Sequence, residues 1–479
     1  MNLCSKLVRF AGRSCSLATG LLIFMAIVMK FGGTSVADAA AFKNVARIVA
    51  SEYKAAPVVV VSAMSGVTDS LLNATSIAAS GDADHAFASL ENVFKRHDAA
   101  AHELLSNPRR EEFLKQLREA ADQLAELLRQ FAARPADRKA LQDAVVSYGE
   151  ILSSTLLAAT LNQRDVEARQ VDARRCIITD DEHTAAAPLM AESTTGTQNE
   201  LRPVIEDRIV PVLGGFIGAT KQGTTTTLGR GGSDYTAALI GALIGASEIQ
   251  IWTDVTGVLT ADPRVVPHAH TVESLSYGEA AELAYFGAKV LHPKTIHPAI
   301  VSAIPVRICN SRMPEQQGTV VGPLGITTAR TIKAIAHKTG VTVVQITSLR
   351  MLGAYGFLRA LFEVFDKHRT VVDVVTTSEV SVSLSLDEAS ALPAIVAELE
   401  QLGTVKVEKK QAIICVVGEG LRGTPGVAAR AFSTITDINV SLISQGASSI
   451  NFTFVVGEER VKEVVTRLHE EFFGPQKGK

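Results

Sequence analysis

The sequence predicts two architectures in tandem. A largely parallel α/β sheet with helices on both faces, a three-layer αβα arrangement, is followed by a duplicated sheet-and-helix unit. Three observations carry this reading. From Met25 to about Arg312, short near-continuous β-branched runs alternate with helical stretches, the pattern of strands buried on both faces. Beyond that region one order of elements, βαββα, occurs twice, and such repetition marks a duplicated unit. At 479 residues, 47% hydrophobic and 20% charged, the chain is globular and long enough for about two to four domains.

The elements follow in order. "MAIVMKFGGTSV" (25–36) is a first strand running into a glycine turn. Ahead of it, Lys6, Arg9 and Arg13 precede an apolar run in the manner of a secretory signal. A signal reading would use the first strand as its apolar core, so residues 1–24 are expected to be an unstructured leader or an upstream start, with Met25 able to initiate. "APVVVVSAM" (56–64), "EARQVDA" (167–173), "RIVPVLGGFIG" (208–218), "EIQIWTDV" (248–255) and "IPVRICN" (304–310) read as buried strands. The clearest helices are 233–246 and 276–287. Residues 83–132, charged and Ala/Leu-rich, read as an inserted helical hairpin broken at Asn107-Pro108, with "FKRH" (94–97) on a solvated face.

Residues 313–330 have the Pro/Gly/Gln texture of a connection, which places a linker at 316–330 after a first domain at 25–315. The repeats then occupy 331–408 and 409–479. The second lacks a closing strand, and "TIKAIAHK" (331–338) is placed to supply it, so the units are expected to interleave.

Composition narrows the functional classes. A net charge of −3 and a single Trp offer neither a basic face nor stacking platforms for nucleic acid. Five scattered cysteines without a Cys-x-x-Cys suit a reducing compartment, taken here as the cytoplasm. No segment after the opening run has the roughly 18 unbroken apolar residues of a membrane span, and no membrane partner is expected.

The chemistry-bearing motifs concentrate in the first domain. "VMKFGGTSV" puts Lys30 at a strand end and Gly32-Gly33 in the turn, so backbone N–H groups can approach an anion while the ammonium neutralises it. "TTTTLGRGGSDYTAAL" (224–239) leads glycines into a helix that opens with Ser233 and Asp234. A helix N-terminus is an anion site, Arg230 can grip a carboxylate, and Asp234 can cap the helix or hold an ammonium. Thr253 and Asp254 leave a strand end, where open α/β sheets bind ligands. Arg264 and Lys289 are cations beyond it, suited to polyphosphate.

"KFGGTSV", "VVVVSAMSGVTDSL", "SYGEILSSTLL", "TTTTLGRGGSDYTAAL", "TDVTGVLTADPRV" and "FGAKVLHP" together resemble the aspartate kinase family over essentially all of 25–475, and the repeats resemble its paired ACT domains. The resemblance implies an amino-acid kinase fold followed by two ferredoxin-like ACT domains. It implies phosphorylation of the β-carboxylate of L-aspartate by ATP with Mg2+. By position, Lys30 matches the family lysine at the transferring phosphate, and Thr68 and Glu150 match aspartate-binding residues. Arg230, Ser233 and Asp234 match residues around substrate and γ-phosphate. Gly32, Gly33, Thr253, Asp254, Leu259, Arg264, Lys289 and Val290 match nucleotide contacts, with Leu259 standing where relatives often carry an aromatic. An ionised carboxylate acceptor needs no general base, and "HAH" (268–270) lacks the acidic company of a metal site.

The first repeat is most similar to the lysine-sensitive branch. That match implies an effector pocket of Met351, Phe357, Leu358, Val372, Asp373, Ser378 and Glu379 at an ACT–ACT interface, in a homodimer or dimer of dimers. Asp373 and Glu379 would suit the two ammonium groups of L-lysine. Ala354 and Tyr355 replace polar residues common in that loop, which leaves threonine open beside lysine. "GEGLRG" (418–423) satisfies G-x-G-x-x-G, but too little chain follows for a dinucleotide domain of about a hundred residues. Another amino-acid or carbamate kinase, and a non-catalytic amino-acid sensor, are the alternative readings. "GRGGSD" and the paired repeats argue against the first, and the presence of Lys30, Arg230 and Asp234 against the second.

Overall fold

The computed structural model describes residues 26–287, 291, 293–323, 331–353, 355–387, 390–446 and 448–475; Lys289, Val290, residues 1–24 and part of the expected linker lie outside the described residues. In chain order the first strands are β1 (Ile27–Phe31), β2 (Pro57–Val61), β3 (Ala168–Val171), β4 (Ile178–Thr179), β5 (Val210–Gly214) and β6 (Ile217–Thr220). They are followed by β7 (Thr225–Thr227), β8 (Glu248–Thr253), β9 (Ser274–Ser276), β10 (Val306–Asn310) and β11 (Thr319–Gly322). The main sheet runs β3-β5-β2-β1-β8-β10-β11-β9, parallel except where β11 meets β10.

Strand alternation builds the layers. Ile27, Met29 and Phe31 of β1, with Val59 and Val61 of β2, share one core with the helices Ala39–Ser51, Val67–Ala79 and Arg138–Gln163. Val28, Val58 and Val60 point the other way, into a core containing the helix Gly232–Ile244. Successive side chains of a strand face opposite sides, so Lys30 shares its face with Val28 and that helix. The helix Arg138–Gln163 lies in a stretch long and apolar enough to cross a membrane, yet 72% of its apolar window is buried inside the protein.

Three features differ from the sequence expectation. The run 208–218 is two strands in two sheets, because the chain turns at Phe216 (φ 68°) and β6 leaves to join β4 and β7. Residues 319–322 of the expected linker are strand β11, bound into the main sheet by β10 and β9. In the hairpin, Glu91–Leu104 and Arg109–Ala133 are helical, but "FKRH" is not a solvated face. His97 is fully buried, its Nδ1–H donating to Val93 O at 2.7 Å. Arg96 turns back across the domain.

The C-terminal region is one six-stranded sheet, β13-β14-β12-β15-β17-β16. Its strands are β12 (Ala334–Thr347), β13 (Val375–Thr377), β14 (Ser381–Asp387), β15 (Thr404–Val417), β16 (Leu442–Gln445) and β17 (Asn451–Gly457). Two of them are long enough to serve both repeats. Ala334–Lys338 pair with Ile413–Val417, beside β17, whereas Val341–Thr347 pair with β14 and with the first half of β15. One face of this sheet, including Ala336, Val343, Ile413 and Cys415, joins the core of the first domain.

Candidate active site

The C-terminal ends of parallel strands β5, β2, β1 and β8 lie side by side, and Lys30, Glu150, Ser233, Asp234, Thr253 and Asp254 lie on or beside them. At the end of β1, Lys30 Nζ lies 2.6 Å from Asp234 Oδ1. Asp234 stands in the first turn of the helix Gly232–Ile244, where the dipole also favours a carboxylate. That helix is capped by Gly231 in the left-handed region (φ 75°), and a Cβ there would sit 2.6 Å from Thr295 Cγ2. Only glycine meets both conditions. Ser233 is buried against Gly215, just past β5, and Arg230 is exposed just ahead of the helix.

Glu150 reaches the same edge from the other helical layer. It is buried, and Oε1 accepts the Ala63 N–H at 3.1 Å. Its Oε2 receives no hydrogen bond among the described residues. Gly214 lets the strand end approach it, since a Cβ would lie 2.9 Å from Glu150 Cβ. Burial pushes its carboxyl up to about 8. A buried carboxylate with an unpaired oxygen is the complement of an ammonium group. Thr68 lies half-buried in the first turn of the helix Val67–Ala79.

The turn after β1 is held by residues the sequence reading missed. Ser35 Oγ donates to Ser311 Oγ at 2.9 Å, and Ser311 Oγ donates to Thr253 O at 3.0 Å, tying the glycine turn to the end of β8. The Arg96 guanidinium donates to Ser65 O at 2.8 Å and Ala37 O at 3.0 Å, bridging the loops after β2 and β1. The signal was helical spacing: Arg96 lies beside Val93, His97 and Ala100, which are buried against the domain.

Thr253 and Asp254 lie at the end of β8, joined Oγ1–H to Oδ1 at 3.2 Å. Leu259 bridges to Thr271, and Arg264, whose side chain is 88% exposed, pairs with Asp262 at 2.6 Å. This loop is docked on the second repeat. Thr260 Oγ1 lies 2.8 Å from His469 Nε2, the Ile335 N–H donates to Thr260 O at 2.8 Å, and Ala261 and Val266 enter that unit's core. His268 and His270 of "HAH" meet the His469 ring edge-on. No metal-binding group of three His, Cys, Asp or Glu occurs among the described residues.

In the first repeat, Met351, Phe357 and Val372 pack against one core, while Leu358, Ser378 and Glu379 are exposed. Asp373 is engaged from within the chain, by Lys338 Nζ at 2.9 Å and by the Tyr285 hydroxyl.

Residues 25–310 match the amino acid kinase family and residues 414–472 the ACT domain. The chain is 40% identical to aspartokinase 1, chloroplastic, of Arabidopsis thaliana, over 93% of this chain and 80% of that protein. It is 38% identical to lysine-sensitive aspartokinase 3 of Escherichia coli, over 93% and 99%. This chain belongs to the aspartokinase family.

As a family member it is an ATP-dependent phosphotransferase. Its fold matches that of E. coli aspartokinase III in complex with lysine and aspartate, with a TM-score of 0.78 and 36% identity over 94% of this chain and all of the other. The complex of the same enzyme with aspartate and ADP matches at 0.74 and 37%, with the same coverage.

Proposed function

We propose that this aspartokinase transfers the γ-phosphoryl group of MgATP to the β-carboxylate of L-aspartate, giving ADP and 4-phospho-L-aspartate. The first step of lysine, threonine and methionine biosynthesis has this chemistry. The observation that carries the reading is the buried Glu150, with its unpaired Oε2, on the same strand-end edge as the Lys30–Asp234 pair. Glu150 receives the α-ammonium of aspartate with Thr68 beside it, and Arg230 and Ser233 receive a carboxylate. The acceptor oxygen is already anionic, so no proton need be removed. Lys30 neutralises charge on the phosphoryl group in transit, and Asp234 holds that ammonium in place. The Gly32-Gly33 turn, Thr253, Asp254, Leu259 and Arg264 receive the nucleotide, with Lys289 and Val290 expected beside them. Arg264 exchanges Asp262 for phosphate. A magnesium ion arriving with ATP would take its ligands mainly from phosphate oxygens and would supply charge neutralisation there, with Asp254, just past the end of β8, the carboxylate available to it.

The complexes of the E. coli enzyme with aspartate, ADP and lysine support this assignment, and we extend lysine inhibition to the first ACT domain here. Its outer surface exposes Leu349, Leu352, Tyr355, Leu358, Phe362 and Val371. Exposed apolar side chains in such number suit pairing with a second copy, so we assign a homodimer or dimer of dimers. We place the enzyme in the cytoplasm, where ATP is supplied. A hydroxamate assay with ATP and a panel of amino acids tests the reaction. Aspartate should be the acceptor; product from glutamate but not aspartate overturns it.

A further inference from the structure

Asp373 sits between two domains and has two internal partners. Its side chain is 2% exposed. Oδ2 takes the Lys338 ammonium at 2.9 Å, and Oδ1 accepts the hydroxyl of Tyr285. Lys338 also reaches Asp387 Oδ1 at 2.7 Å and lies 5.1 Å from the centroid of the Tyr285 ring. Lys338 belongs to β12 and Asp373 to the segment before β13, whereas Tyr285 ends the helix Tyr277–Tyr285 of the kinase domain. Two residues later Gly287 (φ 123°) packs so closely on β12 that a Cβ would lie 2.5 Å from His337 O. The segment entering "FGAKVLHP" is therefore fastened to the strand that carries Lys338.

We propose that Tyr285 is a positioning residue for the nucleotide segment, and that the amino-acid effector acts by taking Asp373 from Tyr285 and Lys338. This rests on the reading of Asp373 as an effector-binding residue. The chain's own lysine shows that this carboxylate accepts a lysyl ammonium. Exchange of one ammonium for another conserves charge at the site, and Lys338 keeps Asp387 as its partner. The Tyr285 hydroxyl then loses its acceptor, and the end of its helix is freed from the regulatory sheet. Effector occupancy is thereby converted into loss of the anchor at the end of the Tyr277–Tyr285 helix, from which the chain runs on to Lys289 and Val290, the residues expected at the nucleotide. Lys338 sets the threshold, because the effector must compete with a tethered cation.

The test uses the full-length enzyme, steady-state kinetics and calorimetric titration with L-lysine, on wild type, K338M, K338R and Y285F. K338M should lower the half-inhibiting lysine concentration by about threefold to tenfold, the scale of one charge-assisted contact, and K338R should restore it. Y285F should raise KM for ATP more than it changes kcat, and should still bind lysine while losing the effect of lysine on KM for ATP. A half-inhibiting concentration in K338M and a KM in Y285F both within about twofold of wild type, with lysine binding intact, overturn the proposal. If wild type binds no lysine, the effector reading fails. The KM for ATP of Y285F then still judges the positioning role, and an unchanged value overturns it.

Discussion

Lys30 Nζ and Asp234 Oδ1 are 2.6 Å apart, joining the end of the first strand to the first turn of the Gly232–Ile244 helix. The pair is largely shielded, with side chains 12% and 22% exposed, so salt screens it less than a surface ion pair. Replacing Lys30 by Met should lower kcat by about 10²–10³-fold, the scale of losing one preorganised electrostatic contact. The aspartate KM should change little. Single-turnover phosphoryl transfer with the variant checks this, and a kcat within about threefold of wild type would remove Lys30 from the transition state.

With Glu150 as the proposed site of the substrate ammonium, substrate binding should depend on pH. Its carboxyl is held near 8 by burial, against 4.5 for an ordinary glutamate. The aspartate ammonium binds the ionised form, so KM for aspartate should fall as pH rises toward about 8 and then level. Without substrate the sign for stability is opposite. The unfolded chain releases this proton near 4.5 and the folded chain near 8, so stability declines between those values as pH rises. E150Q should abolish both dependences and raise the aspartate KM at least about tenfold. Kinetics and thermal melts across that pH range measure the two effects separately.

Arg96 spans two carbonyls in different loops, and neither loop is otherwise joined to its helix by a side chain described above. R96A should loosen the loops after β1 and β2 and reduce kcat/KM by about tenfold or more through misplacement of the glycine turn. Faster amide exchange confined to 32–37 and 63–66, with an unchanged global melting profile, is the expected signature. Lysine at this position should rescue poorly, because it lacks the forked donor geometry.

His97 predicts acid sensitivity. Burial lowers its imidazole to about 4 from an ordinary 6.5. The unfolded chain takes up this proton first as pH falls, so stability present above pH 6.5 is lost between 6.5 and 4. The loss is on the order of 3 kcal/mol for this one group. H97Q should flatten the slope of melting temperature against pH in that window; an unaltered slope would assign the acid sensitivity elsewhere.

Local pattern alone determined a great deal. β-Branched runs announced β1, β2, β8 and β10, the glycine-led helix start located Ser233 and Asp234, and the repeated βαββα order announced the regulatory half. These signals are legible because burial on both faces, helix capping and duplication each leave a mark within a few residues of chain. The break at Phe216 and the strand β11 were hidden, because a turn in an apolar run and a four-residue strand paired on both sides depend on which neighbours offer hydrogen bonds.

Tertiary structure decided the rest. Arg96 reads as a surface cation until its helix is packed against two loops from distant chain positions. "HAH" reads as a loop until the Thr260–His469 contact and the buried Ala261 and Val266 place it on the second repeat. Asp373 reads as an effector ligand, and only the fold brings Lys338 and Tyr285 to it. Sequence patterning records how each segment meets water and its near neighbours. Which charges and carbonyls end up sharing a site depends on contacts between segments far apart in the chain, and those exist only once both domains are packed.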